Sequence, residues 1–397
     1  MRLLYFTVAL SILLCQRSDA QFLSATEFGD SAVTKPILEK IGQYFFANAD
    51  STVYYAEKLY AIGESNGNYR IINHALQIRG EGYRGKGDLP RSLQVQLEAL
   101  KINRAHKDLL GEAYTRSFIG FTYLQSGMTK QALQYCLAAI PVLEKNNEII
   151  QASFATSNAA YCYIQSEALD SARALNARAK DLLEKSDEND FRKKALRSLV
   201  YDRIGETYFT EGKLEEATEY FHQCLYFSIR DNVDINISRS QKNLARIFLV
   251  KNSNDSAIFY SWNALQNSLK DRQKQNTLEA AQILATVYKK LNIRDSALHY
   301  QSIAMDLKDS LYGMGKFRDI QLLTMEEQSR QQEYLSEKEA LRNSLRLAIL
   351  AVIVIALIIV AVILRRNNSI KQKINLQLNN KTIVLEKTLE ELKAPQS

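Results

Sequence analysis

Proton transfer, metal binding and nucleophilic attack need histidine, cysteine or paired carboxylates at defined spacings, and this 397-residue chain offers few of them. Its four histidines, His74, His106, His222 and His299, follow no common interval. Each reads as a partly exposed helix residue rather than a ligand or base. Cys15, Cys136, Cys162 and Cys224 form no CxxC pair and no zinc spacing, and Cys136 and Cys224 read as small buried apolar residues. The 44 carboxylates follow surface positions, with no pair that spacing marks for acid–base work. The phosphate loops GxGxxG and GxxxxGKS/T, the zinc helix HExxH and the nucleophile elbow GxSxG do not occur. The chain is expected to bind rather than catalyse, without cofactor or metal.

The scaffold behind these residues is helical. Four prolines and fifteen glycines, with 46% hydrophobic and 24% charged residues, exclude a Pro-rich or disordered chain and point to helix almost throughout. Leu347 to Leu364 is a run of eighteen residues without a polar side chain, about 27 Å of helix, which excludes a purely soluble protein. The net charge of +7 is concentrated next to that run: residues 365–397 carry seven Lys/Arg against three Glu. Positive charge beside a span sets topology or meets acidic headgroups, so nucleic acid is not the expected partner.

Residues 1–20 read as a secretory signal peptide: Arg2, the apolar run Leu3 to Cys15, then Ser18-Asp19-Ala20 with cleavage after Ala20. Leu14 ahead of Cys15 argues against a lipoprotein site. Basic residues flank the apolar run on both sides, so the signal peptide decides orientation. Residues 21 to about 345 are expected outside the cytoplasm and 365–397 inside.

The middle of the chain repeats. Small residues recur at Gly80, Gly120, Ala160, Gly205, Ala245 and Ala285, spaced by 40 except for one interval of 45. Three places later comes an aromatic: Tyr83, Tyr123, Tyr163, Tyr208, Phe248 and Tyr288. Seven places later comes a turn former, Gly87, Gly127, Gly212, Asn252 and Asn292, with Glu167 the exception. Twelve places later stands another small residue: Ser92, Ala132, Ala172, Ala217, Ala257 and Ala297. These columns describe a helical hairpin. Small residues let two helices approach, the aromatic fills the space beside them, and a left-handed residue ends the first helix. Asp170-Ser171, Asp255-Ser256 and Asp295-Ser296 are expected to cap second helices. Hairpins that cannot bury their apolar faces alone stack into a solenoid.

The pattern resembles the tetratricopeptide repeat (TPR), most clearly at Tyr201, Ile204, Gly205, Tyr208, Ala217, Phe221 and Cys224. The period is 40 rather than 34, so the helices are expected to be longer. The expected organisation is all-α: a cap over 21–69 containing the half-repeat Asp50 to Tyr55, six repeats over 70–312, a juxtamembrane helix over 313–346, the transmembrane helix 347–364 and a short basic coiled coil over 365–397. The charged excess from Glu184 to Lys194 reads as a longer loop. In the resembled family, ligands lie along the concave face made by first helices. That position implies Gln77, Glu81, Ser117, Phe121, Ser157, Tyr161, Asp202, Glu206, Lys242, Arg246 and Gln282 as the binding face for a protein or peptide. Phe121 and Tyr161 would form an aromatic patch, and Lys242 and Arg246 would put two cations on one face.

The order of parts also resembles the N-terminal half of a bacterial transmembrane sensor histidine kinase, with Thr388 to Ser397 like the helix entering its dimerisation domain. The resemblance implies a bacterial inner-membrane receptor that dimerises through its juxtamembrane and tail helices. The tail seam would be Ile374, Leu378, Leu385 and Leu392. Pro395 departs from that pattern, and the phosphoacceptor histidine and ATP-binding domain do not follow. The alternative is a membrane-tethered scaffold that assembles exported partners without signalling.

Overall fold

A computed structural model of the protein describes residues 31–45, 48–188, 190–231, 233–270 and 273–393. The signal peptide, residues 21–30 of the cap and the last residues, Ala394 to Ser397, lie outside the described residues. Every regular element among the described residues is an α-helix: α1 (Ser31–Tyr44), α2 (Ala49–Ser65), α3 (Tyr69–Gly85), α4 (Leu89–Ala105), α5 (Leu109–Gln125), α6 (Thr129–Lys145), α7 (Ile149–Gln165), α8 (Leu169–Lys185), α9 (Phe191–Thr210), α10 (Leu214–Arg230), α11 (Asp234–Val250), α12 (Asn254–Lys270), α13 (Lys274–Lys290), α14 (Arg294–Tyr312) and α15 (Met314–Lys393). The chain divides into two compact units, one ending at Thr324 and the other starting at Met325.

The 40-residue period is two helices of 17 residues with three-residue turns. Each hairpin of a first helix (α3, α5, α7, α9, α11, α13) and a second helix (α4, α6, α8, α10, α12, α14) packs on the next. The small columns are points of contact between helices. A Cβ on Gly120 would lie 2.6 Å from Cys136 Sγ, and one on Gly205 would lie 2.7 Å from the Phe221 ring. The turn-former column adopts the left-handed region at Gly87, Gly127, Gly212, Asn252 and Asn292, and Glu167 takes it too, at φ +57°. A non-glycine residue there costs about 1–2 kcal/mol, so position overrides residue preference at Glu167. The aromatics stack on a column of the second helix: Tyr208 on Tyr220, Phe248 on Tyr260 and Tyr288 on Tyr300, with centroids 5.4, 5.4 and 5.7 Å apart. These pairs use the abundant tyrosines, and the partner column was not part of the sequence pattern.

Three features differ from the sequence expectation. The half-repeat Asp50 to Tyr55 lies in α2, which pairs with α1 as a hairpin one period ahead of α3–α4. Asp170 and Asp295 do not cap: they lie in the first turns of α8 and α14, whose N-cap residues, Ala168 and Ile293, make no side-chain cap bond; Asp255 lies in the first turn of α12. Their charge still meets the positive end of the helix dipole. Side-chain caps come instead from Asn48, Asn68, Asp88, Asp108 and Asp190. The excess after Glu184 divides between the connection 186–190 and a longer first helix, since α9 has 20 residues.

The last hairpin reaches back to α3–α4, the first of the six repeats. A Cβ on Gly87 would meet Leu311 Cδ2 at 2.9 Å, and Lys316 Nζ donates to Gly87 O at 3.4 Å. Ile320, at the start of α15, joins the core cluster of Leu89, Leu93, Leu97 and Tyr123, and Thr324 Oγ1 lies 3.2 Å from Tyr123 Oη. In the second unit, α15 is the one helix among the described residues long and apolar enough to cross a membrane. The side chains of 347–364 are largely exposed along it, Leu347 at 67% and Val352 at 66%. Ile374, Leu378 and Leu385 are also exposed, and the side chain of Leu392 lies outside the described residues.

Candidate functional site

First helices face inward and line a cavity of about 610 Å³. Its walls come from α3 (Arg84), α5 (Phe121), α7 (Tyr161), α9 (Asp202, Arg203, Glu206), α11 (Arg239, Lys242, Arg246) and α13 (Glu279). A smaller adjoining cavity of about 110 Å³ is apolar, with Phe118, Phe121, Ile150, Phe154, Leu196 and Leu199 in its wall. Phe154 links the aromatics: it meets Phe121 edge-on at 5.3 Å and Phe118 at 5.8 Å.

The eleven residues implied by the family position divide between the cavity linings and the spaces between helices. Phe121, Tyr161, Asp202, Glu206, Lys242 and Arg246 line the larger cavity, and Glu81 lines the smaller. Gln77, Ser117 and Ser157 are buried, and Gln282 is exposed away from the lining. The residues at Gln77, Ser117, Asp202 and Lys242 bond from one first helix to the next. Gln77 donates to Thr115 at 2.8 Å, Gln151 to Ser117 at 2.6 Å, Asn243 to Asp202 at 2.6 Å, and Lys242 pairs with Glu279 at 2.7 Å. Phe121 and Tyr161 do not make one patch. Phe121 packs with Phe154, and Arg84 covers it at 4.4 Å, whereas Arg203 lies 3.7 Å over Tyr161. Burial pushes the Tyr161 hydroxyl up to about 12, with Glu206 adding and Arg203 opposing. Nor do Lys242 and Arg246 present two bare cations, since Arg246 is paired with Glu206.

The cavity holds six cations, Arg84, Arg203, Arg239, Lys242, Arg246 and Lys274, against three carboxylates, Asp202, Glu206 and Glu279. Arg84 is neutralised by Glu81 at 2.9 Å, and Arg203 meets Asp202 at 3.7 Å. Arg239 was missed in the sequence because it stands three residues ahead of the Lys242 column. The asparagines of that phase were a legible signal. Asn236 and Asn276, 40 apart, each donate to a serine and a carbonyl of the preceding first helix: Ser198 and Ala195, and Ser238 and Ile235.

The histidines and cysteines take no part in the cavity. His74 departs from the sequence reading: it is 6% exposed inside α3, because its phase points between helices, and burial lowers its pKa to about 3. His106 stacks on Tyr69 at 3.8 Å. Burial raises Cys162 and Cys224 to about 12, which keeps both thiols protonated at neutral pH. No group of three His, Cys, Asp or Glu comes together among the described residues in a way that could hold a metal.

No protein-family model matches the chain, and no curated protein does. Among solved structures, a Rap protein complexed with competence and sporulation factor is similar over 77% of this chain and 94% of its own, at 13% identity and TM-score 0.51. A tetratricopeptide repeat protein from Parabacteroides merdae shares 17% identity over 73% of this chain and 99% of its own, TM-score 0.42. A signal-transduction ATPase from Pyrococcus horikoshii with a tetratricopeptide repeat sensor shares 15% over 79% of this chain and 50% of its own, TM-score 0.46. The first likeness, together with the hairpin geometry, establishes a TPR-like helical-hairpin array.

Proposed function

We propose that this chain is the ligand-binding portion of an exported, membrane-anchored receptor. The hairpin array binds a protein or peptide in its groove, and α15 carries the result through a bacterial inner membrane to a cytoplasmic coil that pairs with a second copy. The observation that carries the reading is the groove: six first helices contribute side chains to one polar channel with an apolar pocket beside it. The exposed apolar side chains of 347–364 and the signal-like residues 1–20 support the membrane part. The bound factor named for the Rap protein supports the ligand part. The chain's own role is recognition rather than catalysis.

The test is selection of random hexapeptides on the full chain held in lipid nanodiscs. Enriched peptides are expected to bind, and replacing Phe121 and Phe154 together by Ala should weaken them at least tenfold without loss of helicity. Enrichment no better than on empty nanodiscs, or affinity indifferent to both phenylalanines, would remove the groove as the binding site.

A further inference from the structure

The groove pairs four of its six cations with carboxylates and leaves two, Arg239 and Lys274, of which Lys274 donates to Ser310 Oγ at 3.0 Å. Arg84, Arg203, Lys242 and Arg246 each have a carboxylate partner. Arg239 has none within ion-pair range among the described residues: its Nη1 donates to Asn236 Oδ1 at 2.9 Å, and the Asp202 charge acts only at longer range. That single bond aims the guanidinium. The Asn236 amide is fixed by its own donations to Ala195 O at 3.1 Å and Ser198 Oγ at 2.5 Å, so its oxygen is left for Arg239. The guanidinium's other donors remain available, and Arg239 lines both the 610 Å³ channel and the 110 Å³ apolar pocket. Crowding by the array and the Arg203 and Arg84 charges disfavour the guanidinium's charged form, so an anion placed there relieves a standing cost.

The neighbouring pocket defines the second requirement. At about 110 Å³ it falls well below the ~300–1,000 Å³ of small-molecule sites, and it suits one large side chain entering from the channel. The channel is lined from α3, α5, α7, α9 and α13 as well as from α11, which carries Arg239. An occupant therefore continues beyond the arginine, as an internal residue of a peptide does and a chain terminus does not. Arg supplies the planar, multi-donor fork that carboxylates accept.

We infer that the groove selects extended peptide segments in which an acidic side chain, held by Arg239, adjoins a large apolar side chain seated among Phe118, Phe121 and Phe154. This rests on the peptide-binding reading above and adds the chemical class of the ligand. The probes are acetylated, amidated hexapeptides, which carry no terminal charge, with a central Phe-Asp, Phe-Asn or Ala-Asp, titrated onto the full chain in nanodiscs. Phe-Asp should bind at least tenfold tighter than either of the others. Arg239→Gln should abolish the preference for Asp over Asn and keep that for Phe over Ala, while Arg239→Lys retains part of the Asp preference. The retained Phe preference shows that the variant is folded. Equal binding of Phe-Asp and Phe-Asn by the unaltered chain would overturn the anion site and leave the groove reading standing. No binding by these probes or by any selected hexapeptide would overturn both.

Discussion

His74 shows how place in the array sets the chemistry of a residue. It is buried in α3, and desolvation is the main reason its pKa falls to about 3; a hydrogen bond with Gln77 opposes the shift and the Arg192 charge adds to it. In the unfolded chain histidine titrates near 6.5, so between pH 6.5 and about 3 the unfolded state binds a proton that the folded state refuses. Stability is therefore lost as pH falls through that window, by up to about 1.4 kcal/mol per pH unit. Above pH 6.5 the term vanishes. Urea melts at pH 7.5, 5.5 and 4.5 should show His74→Asn with a shallower acid loss than the unaltered chain; parallel slopes would rule the histidine out as a cause. The site itself was half legible at this scale. Phe121, Tyr161, Glu206 and Arg246 occupy the column that looks into the cavity. Gln77 and Ser117 stand one turn earlier, where the superhelix turns side chains toward the next helix instead. A 40-residue period marks phase, whereas the twist that decides which phase faces the groove exists only after packing.

Elements were the most legible level, since a small residue opposite another small residue is a statement about helix separation. Gly120 makes the requirement quantitative. An added Cβ meets not only Cys136 Sγ but Ala132 O at 3.2 Å and Cys136 N at 3.3 Å, backbone that cannot rotate away. Gly120→Ala should destabilise the array by about 1–3 kcal/mol, and Cys136→Ala in the same chain should restore part of it. Gly42 on α1 has nothing within 4 Å of such a Cβ, so Gly42→Ala should stabilise by about 0.5–1 kcal/mol through helix preference alone. Thermal melts of the three variants decide the matter, and equal effects at the two glycines would contradict the packing account. Caps were less legible: Asp170 and Asp295 sit two residues past the cap position, a difference of register that sequence spacing does not resolve. For α15, the exposed Ile374, Leu378 and Leu385 define a face that a second copy would cover. Single cysteines at Leu378 and Leu385 should crosslink between chains in membranes, and one at Asn380 should do so less. Uniform crosslinking around the helix, or none, would favour the tethered scaffold over the receptor.

At the scale of the whole molecule the proposal stands on topology. Protease added to spheroplasts should digest the hairpin array and leave a protected fragment of the apolar tract and tail; protection of the array would remove the exported receptor. The sequence made the array and the apolar tract visible because both are periodic or compositional. It could not show the meeting of the last hairpin with α3–α4, which depends on accumulated twist over more than two hundred residues. That meeting changes the cooperativity of the array. A stack in which each repeat touches only its neighbours behaves as a one-dimensional chain and frays from either end. Here Lys316 bonds back to Gly87 across 229 positions, and Thr324 meets Tyr123 across 201. The last hairpin and α3–α4 then cannot melt independently, whereas α1–α2 ahead of them makes neither contact. Local unfolding that would otherwise be confined to the C-terminal hairpin becomes an event shared with α3–α4, α5 and the first turns of α15, which supply Gly87, Tyr123, Lys316 and Thr324.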